Sequence, residues 1–178
     1  MTLAPPAPRT RFMPWVIALV ALALYAITLR GTYIGDDISI VRDDPRLHQP
    51  GQWISYFTTG YWEHGVDHLY RPLTSLTYKL QWVLHGDRPW AFHLVNILLH
   101  AAVAAGVSLL ARRWFGDRAG WIAGLLFATH PIHVEAVAGL VGRADLLATL
   151  FIVSALNLIY RPAQRIGWNF LWLPLLCI

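Results

Sequence analysis

The sequence is poor in residues that cross-link, bind metal or carry charge. Its single cysteine, Cys177, permits no internal disulfide and matches no cysteine metal-ligand spacing. Lysine occurs once, at Lys79, and the thirteen arginines are scattered, so the chain lacks the basic run that binds nucleic acid. Charged residues make up 13% of the chain and hydrophobic residues 56%. These proportions, with a mean hydropathy of +0.45, exclude an ordinary soluble domain and indicate a membrane protein.

Long runs without charge predict the membrane-spanning helices. The first such run has eighteen residues. At about 1.5 Å per residue, it nearly covers a hydrocarbon core of about 30 Å. Pro131 should end or kink the third span, because proline removes a backbone hydrogen bond. We therefore expect an all-α polytopic membrane helix bundle with four complete spans and a truncated fifth, in the order Phe12–Leu29, Pro89–Ala111, Ala119–Pro131, Ala144–Tyr160 and Gly167–Ile178.

The loop between the first two spans, residues 31–88, is long and acidic. It holds seven of the ten carboxylates in the chain. A charged loop of this length is either a folded cap or an active site, because connectors in packed bundles are much shorter. Pro72–His85 is too short to span and contains Lys79, so we expect an interfacial helix there. Five aromatic residues are expected to anchor the loop at headgroup level, namely Trp53, Tyr56, Phe57, Tyr61 and Trp62.

The distribution of charge predicts the orientation of the chain. Residues 1–11 are expected to be a disordered cytoplasmic tail, and residues 12–178 one membrane domain that is incomplete at its C-terminus. With four spans, the arginines at the span ends gather on the cytoplasmic side and nine of the ten acids fall outside. The excess of arginine over lysine suggests a bacterial genome rich in GC. We thus expect an integral protein of a bacterial inner membrane, with a cytoplasmic N-terminus and a periplasmic loop.

Three groups of polar residues fall on the same outer face in this topology. The first is the pair Asp36-Asp37, soon after the first span, and the second contains Arg71, just before the interfacial helix. The third surrounds the outer turn between spans three and four and comprises His130, His133, Glu135, Arg143 and Asp145. Because the predicted topology places all three groups on one face, we expect them to meet there.

Each group also has a structural interpretation. The acidic pair can cap a loop helix or mark the water boundary, and Arg71 can extend its charge from the membrane interface. Arg143 can contact a lipid headgroup, and Asp145 suits the positive N-terminal end of the fourth span. One polar face of the second span is expected to hydrogen-bond between helices through His93, Asn96 and His100.

The order of motifs along the chain carries a family resemblance. The chain contains, in this order, GDDISI, YRPLTSLTY, FHLVNILLH and FATHPIHVEAVAGLVGRADLLA. This series resembles the amino-terminal membrane region of the transmembrane O-mannosyltransferases targeting cadherins and their bacterial, repeat-bearing relatives, which are GT-C glycosyltransferases. The resemblance covers residues 14 to about 162. One departure is Gly35, because the family usually has a large residue before the acidic pair.

The resemblance implies an inverting transfer of a sugar, expected to be mannose, from a polyprenyl-phosphate carrier to a hydroxyl of a protein or glycan. It implies that Asp36 or Asp37 is the base, with Asp36 preferred, and that Arg71 and Arg143 contact the phosphate. The remaining candidates line or shape the pocket, namely His130, His133, Glu135 and Asp145. Expected partners are the lipid-linked donor, the acceptor and membrane lipids. Neither a metal, a cofactor nor a nucleic acid is expected.

Two other classes of function stay open at this point. A transporter or a non-catalytic scaffold would use polar residues within the spans to line a path, although no inverted repeat is visible. A metalloprotein would use His130, His133 and Glu135, with His64 or His68, as zinc-type ligands. Their spacing is not H-E-x-x-H, and Pro131 interrupts the helix that this motif needs, so metal binding is the less favoured alternative.

Overall fold

The computed structural model describes residues 11–62 and 69–159 of the chain. All regular secondary structure within these residues is helical, so the all-α prediction is confirmed. Short 3₁₀ turns lie at Ala26–Arg30 and Pro131–His133, and a π-helical turn lies at Ile38–Arg42. The α-helices of the described part are α1 (Met13–Tyr25), α2 (Pro45–His48), α3 (Ser55–Thr58), α4 (Pro72–His85), α5 (Pro89–Phe115), α6 (Asp117–Thr129), α7 (Val134–Ala138) and α8 (Arg143–Ile159).

Two helices of the described part are long and apolar enough to cross a membrane. The first is α1 with its 3₁₀ extension, Met13–Arg30, which has 18 residues and a mean hydropathy of 1.8. The second is α5, which has 27 residues and a mean hydropathy of 2.1. Both correspond to runs in which the sequence predicts a span. These two helices support an integral membrane protein.

The described helices that follow α5 are all shorter than α5. Helix α6 has 13 residues and ends at Thr129, just before Pro131, as the proline predicts. A third spanning segment among the described residues would have to combine Pro131–Ala138 with α8, and these two are bent by 115°. The predicted count of four complete spans therefore stays a prediction. The predicted fifth span and the predicted tail over residues 1–10 lie outside the described residues.

The described residues form two compact units, of which the first comprises residues 11–24, 98–131 and 148–159. Its core is built from small and medium side chains, namely Met13, Ile17, Ala21, Ala101, Ala104 and Ala128. Gly120 and Gly124 of α6 allow the close packing, because a methyl group added at Gly120 would lie 2.7 Å from Met13 Cε. Gly120 and Gly124 are four residues apart, so they form one close-contact face of α6.

The second unit comprises residues 25–62, 69–97 and 132–147 and contains most of the predicted outer loop. Its core is rich in aromatic residues, including Tyr33, Tyr56, Tyr61, Tyr78 and Phe92. Tyr56 and Tyr61 are each 2% exposed, so they are core residues and not members of an exposed aromatic belt. Trp53 and Phe57 do remain exposed. The loop is therefore a folded cap, and its core also includes Phe92 of α5.

Helix α4 has the predicted bounds, Pro72–His85, and carries the single lysine on its inner face. Pro72 occupies the first turn, where its missing N–H costs nothing, and Gly86 ends the helix with a φ of 64°. Lys79 is 1% exposed. Its Nζ donates to the carbonyl oxygens of Arg46, Leu47 and Gln49 at 2.8, 2.9 and 2.6 Å. Burial lowers the pKa of this amine. Lys79 thus joins α4 to the end of α2.

Replacing this amine should loosen the second unit. Lys79→Met keeps the aliphatic length but leaves three carbonyl oxygens without their donor, so we expect the free energy of unfolding to fall by about 3 kcal/mol. Leu80→Met is the matched control, because Leu80 is the next residue of α4 and is exposed. Thermal unfolding followed by tryptophan fluorescence measures both variants. Equal transition temperatures for the two would contradict the assigned role of Lys79.

Candidate functional site

A cavity of about 750 Å³ lies within the second unit. It brings together the segment after α1, the residue before α4, and the segment that runs from the 3₁₀ turn into the start of α8. Five of the eight site residues predicted from the sequence line it, namely Asp36, Asp37, Arg71, Glu135 and Asp145. Among the described residues that line the cavity, Arg71 is the one cation, against four carboxylates. The cavity thus combines proton-accepting groups with one group that can hold an anion.

The two neighbouring aspartates have different surroundings. Asp36 is exposed and lines the cavity. Asp37 is 2% exposed, and its Oδ1 accepts a hydrogen bond from the Val141 N–H at 3.0 Å. Its Oδ2 is buried and meets no hydrogen-bond donor among the described residues. Asp36 is therefore the accessible carboxylate of the pair, and Asp37 is the one that the fold holds in place.

A tight turn causes this difference in exposure. The Asp37 N–H donates to the Ile34 carbonyl oxygen at 3.1 Å, and the Ile38 N–H donates to that of Gly35 at 3.2 Å. Gly35 has a φ of 54°, a left-handed conformation that glycine adopts without strain. This geometry explains why glycine replaces the large residue that the family resemblance leads one to expect before the acidic pair.

Arg71 is held at the cavity by an aromatic ring. Its guanidinium lies 5.3 Å from the centre of the Tyr61 ring, a cation–π distance. Arg46, which pairs with Asp44 at 2.8 Å, holds the Tyr61 backbone by donating to the Tyr61 carbonyl oxygen at 3.1 Å. Burial raises the pKa of the Tyr61 hydroxyl, although the Arg71 charge opposes the rise. Tyr61 is therefore a neutral support for Arg71 and not a second base.

The turn between α7 and α8, Gly139–Gly142, is held by two side chains from other helices. Tyr78 of α4 donates its hydroxyl hydrogen to the Leu140 carbonyl oxygen at 2.7 Å. Asn96 of α5 donates through Nδ2 to the Gly139 and Leu140 carbonyl oxygens at 2.9 and 3.3 Å. The sequence predicts hydrogen bonding between helices for Asn96. No sequence pattern predicts the hydrogen bond of Tyr78, which in the sequence is only one of the aromatic residues of α4.

Arg143 lies beneath this turn and does not line the cavity. Its side chain is 0% exposed, unlike that of a residue which contacts a lipid phosphate. All three guanidinium nitrogens donate to protein groups, namely Nε to Asn96 Oδ1 at 2.9 Å, Nη1 to Thr77 Oγ1 at 3.1 Å and Nη2 to the Phe92 carbonyl oxygen at 2.9 Å. This geometry favours a structural role for Arg143 over the phosphate contact predicted from the sequence.

The two predicted histidines lie elsewhere. His130 is exposed at the end of α6 and belongs to the first unit. His133 is half-buried in the 3₁₀ turn of the second unit and is not among the cavity-lining residues. Within the described residues, no group of three or more histidine, cysteine or acidic side chains is placed to hold a metal ion. His64 and His68, the other candidate ligands, lie outside the described residues.

Gly142 is the position in the turn that tolerates a side chain least. A methyl group added there would come closer than 3.0 Å to three backbone atoms of Ala136. We expect Gly142→Ala to lower the free energy of unfolding by about 1–3 kcal/mol, because backbone cannot move aside as a flexible side chain does. Gly139→Ala should cost less, since its methyl group would meet one carbonyl oxygen at 3.0 Å. Melting curves of the two variants provide the measurement, and the opposite ranking would refute the assigned packing.

Comparison with known proteins supplies the family. Residues 68–177 match the dolichyl-phosphate-mannose-protein mannosyltransferase family. The chain is 40% identical to protein O-mannosyl-transferase TMTC2 of Mus musculus over 161 residues, which cover 86% of this chain and 19% of that protein. The Homo sapiens protein of the same name gives the same figures. Protein O-mannosyl-transferase TMTC3 of Mus musculus is 35% identical over 90% of this chain and 18% of its own length.

The chain thus spans about one fifth of the length of these relatives. No solved structure matches it. The family match covers more than half of the chain and includes the arginine motif and the outer turn of the resemblance, whereas the acidic pair precedes it. The chain therefore belongs to the dolichyl-phosphate-mannose-protein mannosyltransferase family.

Proposed function

We propose that the chain carries the catalytic loop of an integral membrane glycosyltransferase. The enzyme moves mannose from a polyprenyl-phosphate carrier to a hydroxyl of a protein or glycan at the outer or luminal membrane face. Support comes from the family, whose description names both mannose and a lipid phosphate, and from relatives that are named protein O-mannosyl-transferases. The observation that carries the proposal is the cavity in which Asp36 and Arg71 both lie.

The proposed reaction is a single inverting displacement. The acceptor hydroxyl gives its proton to the Asp36 carboxylate while its oxygen attacks the anomeric carbon of the sugar. The bond between that carbon and the phosphate oxygen breaks, and the phosphate leaves with the bonding electrons. A phosphate is a good leaving group, so the site needs a base and a cation but no resident cofactor.

The two carboxylates take different parts in this proposal. Asp36 is the base because it is exposed to the cavity, where an acceptor can reach it. Asp37 already accepts the Val141 N–H and is 2% exposed, so it holds the turn in place. Arg71 holds the departing phosphate, because a guanidinium matches the geometry of phosphate oxygens. Glu135 and Asp145 line the remaining cavity, on the segment that ends at the start of α8.

The proposed membrane arrangement follows the sequence prediction. The chain crosses the bilayer four times and begins a fifth crossing, with α4 in the interface and the long loop on the outer or luminal side. Helix α5 supports this orientation, because Arg112 and Arg113 lie in its last turn, where the cytoplasmic boundary is expected. A bacterial inner membrane is the proposed location, although the relatives named above are from Mus musculus and Homo sapiens.

A transfer assay tests the proposal. The purified protein, in detergent or lipid nanodiscs, is incubated with radiolabelled polyprenyl-phosphate mannose and a peptide rich in serine and threonine. We expect labelled peptide and free polyprenyl phosphate in equal amounts, with the same rate in the presence of EDTA. A rate that EDTA abolishes and zinc restores would favour the metalloprotein alternative. A protein that binds the donor yet transfers nothing would favour a scaffold or transporter.

A further inference from the structure

We infer that Arg143 is a positioning residue that orients the acidic pair from beneath the Gly139–Gly142 turn. The path runs from the buried guanidinium to Asn96, from Asn96 to the turn, and from the Val141 N–H of the turn to Asp37. Asp37 then fixes the backbone from which Asp36 enters the cavity. The expected effect on the reaction rate rests on the proposed function. The structural link from Arg143 through the turn to Asp37 does not.

The surroundings of Arg143 point to a role in defining geometry. It is a fully buried cation, and no carboxylate of the described residues forms an ion pair with it. Its partners are an amide oxygen, a hydroxyl, a backbone carbonyl and the Tyr78 ring, whose centre is 4.5 Å from Cζ. Burying a charge against neutral groups is costly compared with apolar packing, so stability alone does not explain it. The three hydrogen bonds of the planar Arg143 guanidinium do, however, fix the positions of its acceptors relative to one another.

Asn96 links Arg143 to the Gly139–Gly142 turn through hydrogen bonds at both ends of its side-chain amide. Its Oδ1 accepts from Arg143 Nε, so its Nδ2 must face the other way, toward the Gly139 and Leu140 carbonyl oxygens. Arg143 therefore determines which end of the amide meets the turn. Tyr78 follows the same logic, because its ring lies against the guanidinium and its hydroxyl donates to Leu140.

The last step joins the turn to the acidic pair. The Val141 N–H is the donor that meets Asp37 Oδ1, at 3.0 Å, and the two residues are 104 positions apart in the chain. Because Asp36 and Asp37 are adjacent, a shift of Val141 moves the Asp36 carboxylate as well. A misplacement of about 1 Å in a reacting group can cost about 10²-fold in rate. Arg143 can thus control the reaction without touching either substrate.

The test separates positioning from phosphate binding. Arg143→Lys keeps the charge but cannot make three directed bonds. We expect kcat to fall by about 10²-fold with the KM for polyprenyl-phosphate mannose unchanged. Thr77→Val has nearly the same volume but cannot accept from Arg143 Nη1, and it also loses the bond that the Thr77 hydroxyl donates to the Thr74 carbonyl oxygen within α4. It keeps the test decisive if Arg143→Lys fails to fold. For this variant we expect a smaller fall in kcat, of about threefold to tenfold, again at constant KM. A raised donor KM with unchanged kcat in either variant would overturn the inference and make Arg143 a phosphate contact.

A double-mutant cycle and hydrogen exchange exclude a merely structural role. Asp37→Ala removes the acceptor of the Val141 N–H, so Arg143→Lys or Thr77→Val should lower kcat little further in that background. Additive losses would overturn the inference. The Val141 amide should also exchange faster in both single variants, whereas unchanged exchange would overturn the coupling. If the wild-type protein transferred no mannose, the proposed function alone would be wrong. The exchange rate of the Val141 amide would still test the structural link, because it does not depend on turnover.

Discussion

Replacing Asp36 by asparagine should lower the rate of mannosyl transfer by roughly 10²–10⁴-fold, the usual contribution of a general base. Asparagine has nearly the same shape, but its amide cannot accept the proton of the acceptor hydroxyl. The side chain is exposed to the cavity, so the substitution should leave the fold and the donor affinity intact. Initial rates with radiolabelled donor, together with donor binding measured separately, provide the measurement.

Asp43→Asn is the matched control for this experiment. Asp43 also lies in the outer loop and is exposed, but it pairs with Arg42 at 2.7 Å and does not line the cavity. The hydrogen bond from Arg42 lowers the pKa of Asp43, in keeping with a surface ion pair. We expect nearly normal transfer from this variant. If Asp37→Asn were inactive while Asp36→Asn kept most of its rate, the base would be Asp37 and our assignment would be reversed.

Arg71→Gln should reduce kcat/KM for the lipid-linked donor by about 10²–10³-fold, the effect of removing one preorganised group from a developing negative charge. Arg71 is the one cation among the described cavity-lining residues, so no described neighbour can replace it there. Arg71→Lys should recover part of the rate, because lysine keeps the charge but loses the planar contact with the Tyr61 ring. Steady-state kinetics at varied donor concentration separate the two parameters.

Arg88→Gln serves as the control for the loss of a positive charge. Arg88 is exposed, lies between α4 and α5, and does not line the cavity. Its loss should leave kcat/KM within about twofold of the wild-type value, because exposed charges interact weakly with distant groups. Equal losses from Arg71→Gln and Arg88→Gln would indicate general attraction of the anionic donor to the loop, and the specific phosphate contact would be wrong.

Sequence patterns predict much of the helical framework because prolines and uncharged runs act locally. Pro72, Pro89 and Pro131 each mark the start of a helix or helical turn, and α1 and α5 lie where uncharged runs predict them. The meeting of the acidic pair with Arg71, Glu135 and Asp145 was also predictable, since all were placed on one outer face. Their common cavity agrees with that placement. Their chemical roles stay predictions until variants are assayed.

Local sequence patterns could not predict which charged side chains are buried. The position of Arg143 at the start of a predicted span suggests a headgroup or phosphate contact, because arginine is common at span ends. Its actual environment is formed by Thr77, Phe92 and Asn96, which are distant in the sequence. Similarly, the charge of Lys79 is one of the features from which the sequence predicts that α4 lies in the membrane interface. Its actual partners are carbonyl oxygens about 30 positions earlier in the chain, which no periodicity reveals.

The concealment of that one lysine also has a practical side. Succinimidyl esters and other acylating reagents attack free amines, and the sole ε-amine of the chain is engaged by three carbonyl oxygens. It becomes available to such a reagent only when α4 separates from the end of α2. Acylation at this position therefore reports the opening of the cap, with no engineered label needed.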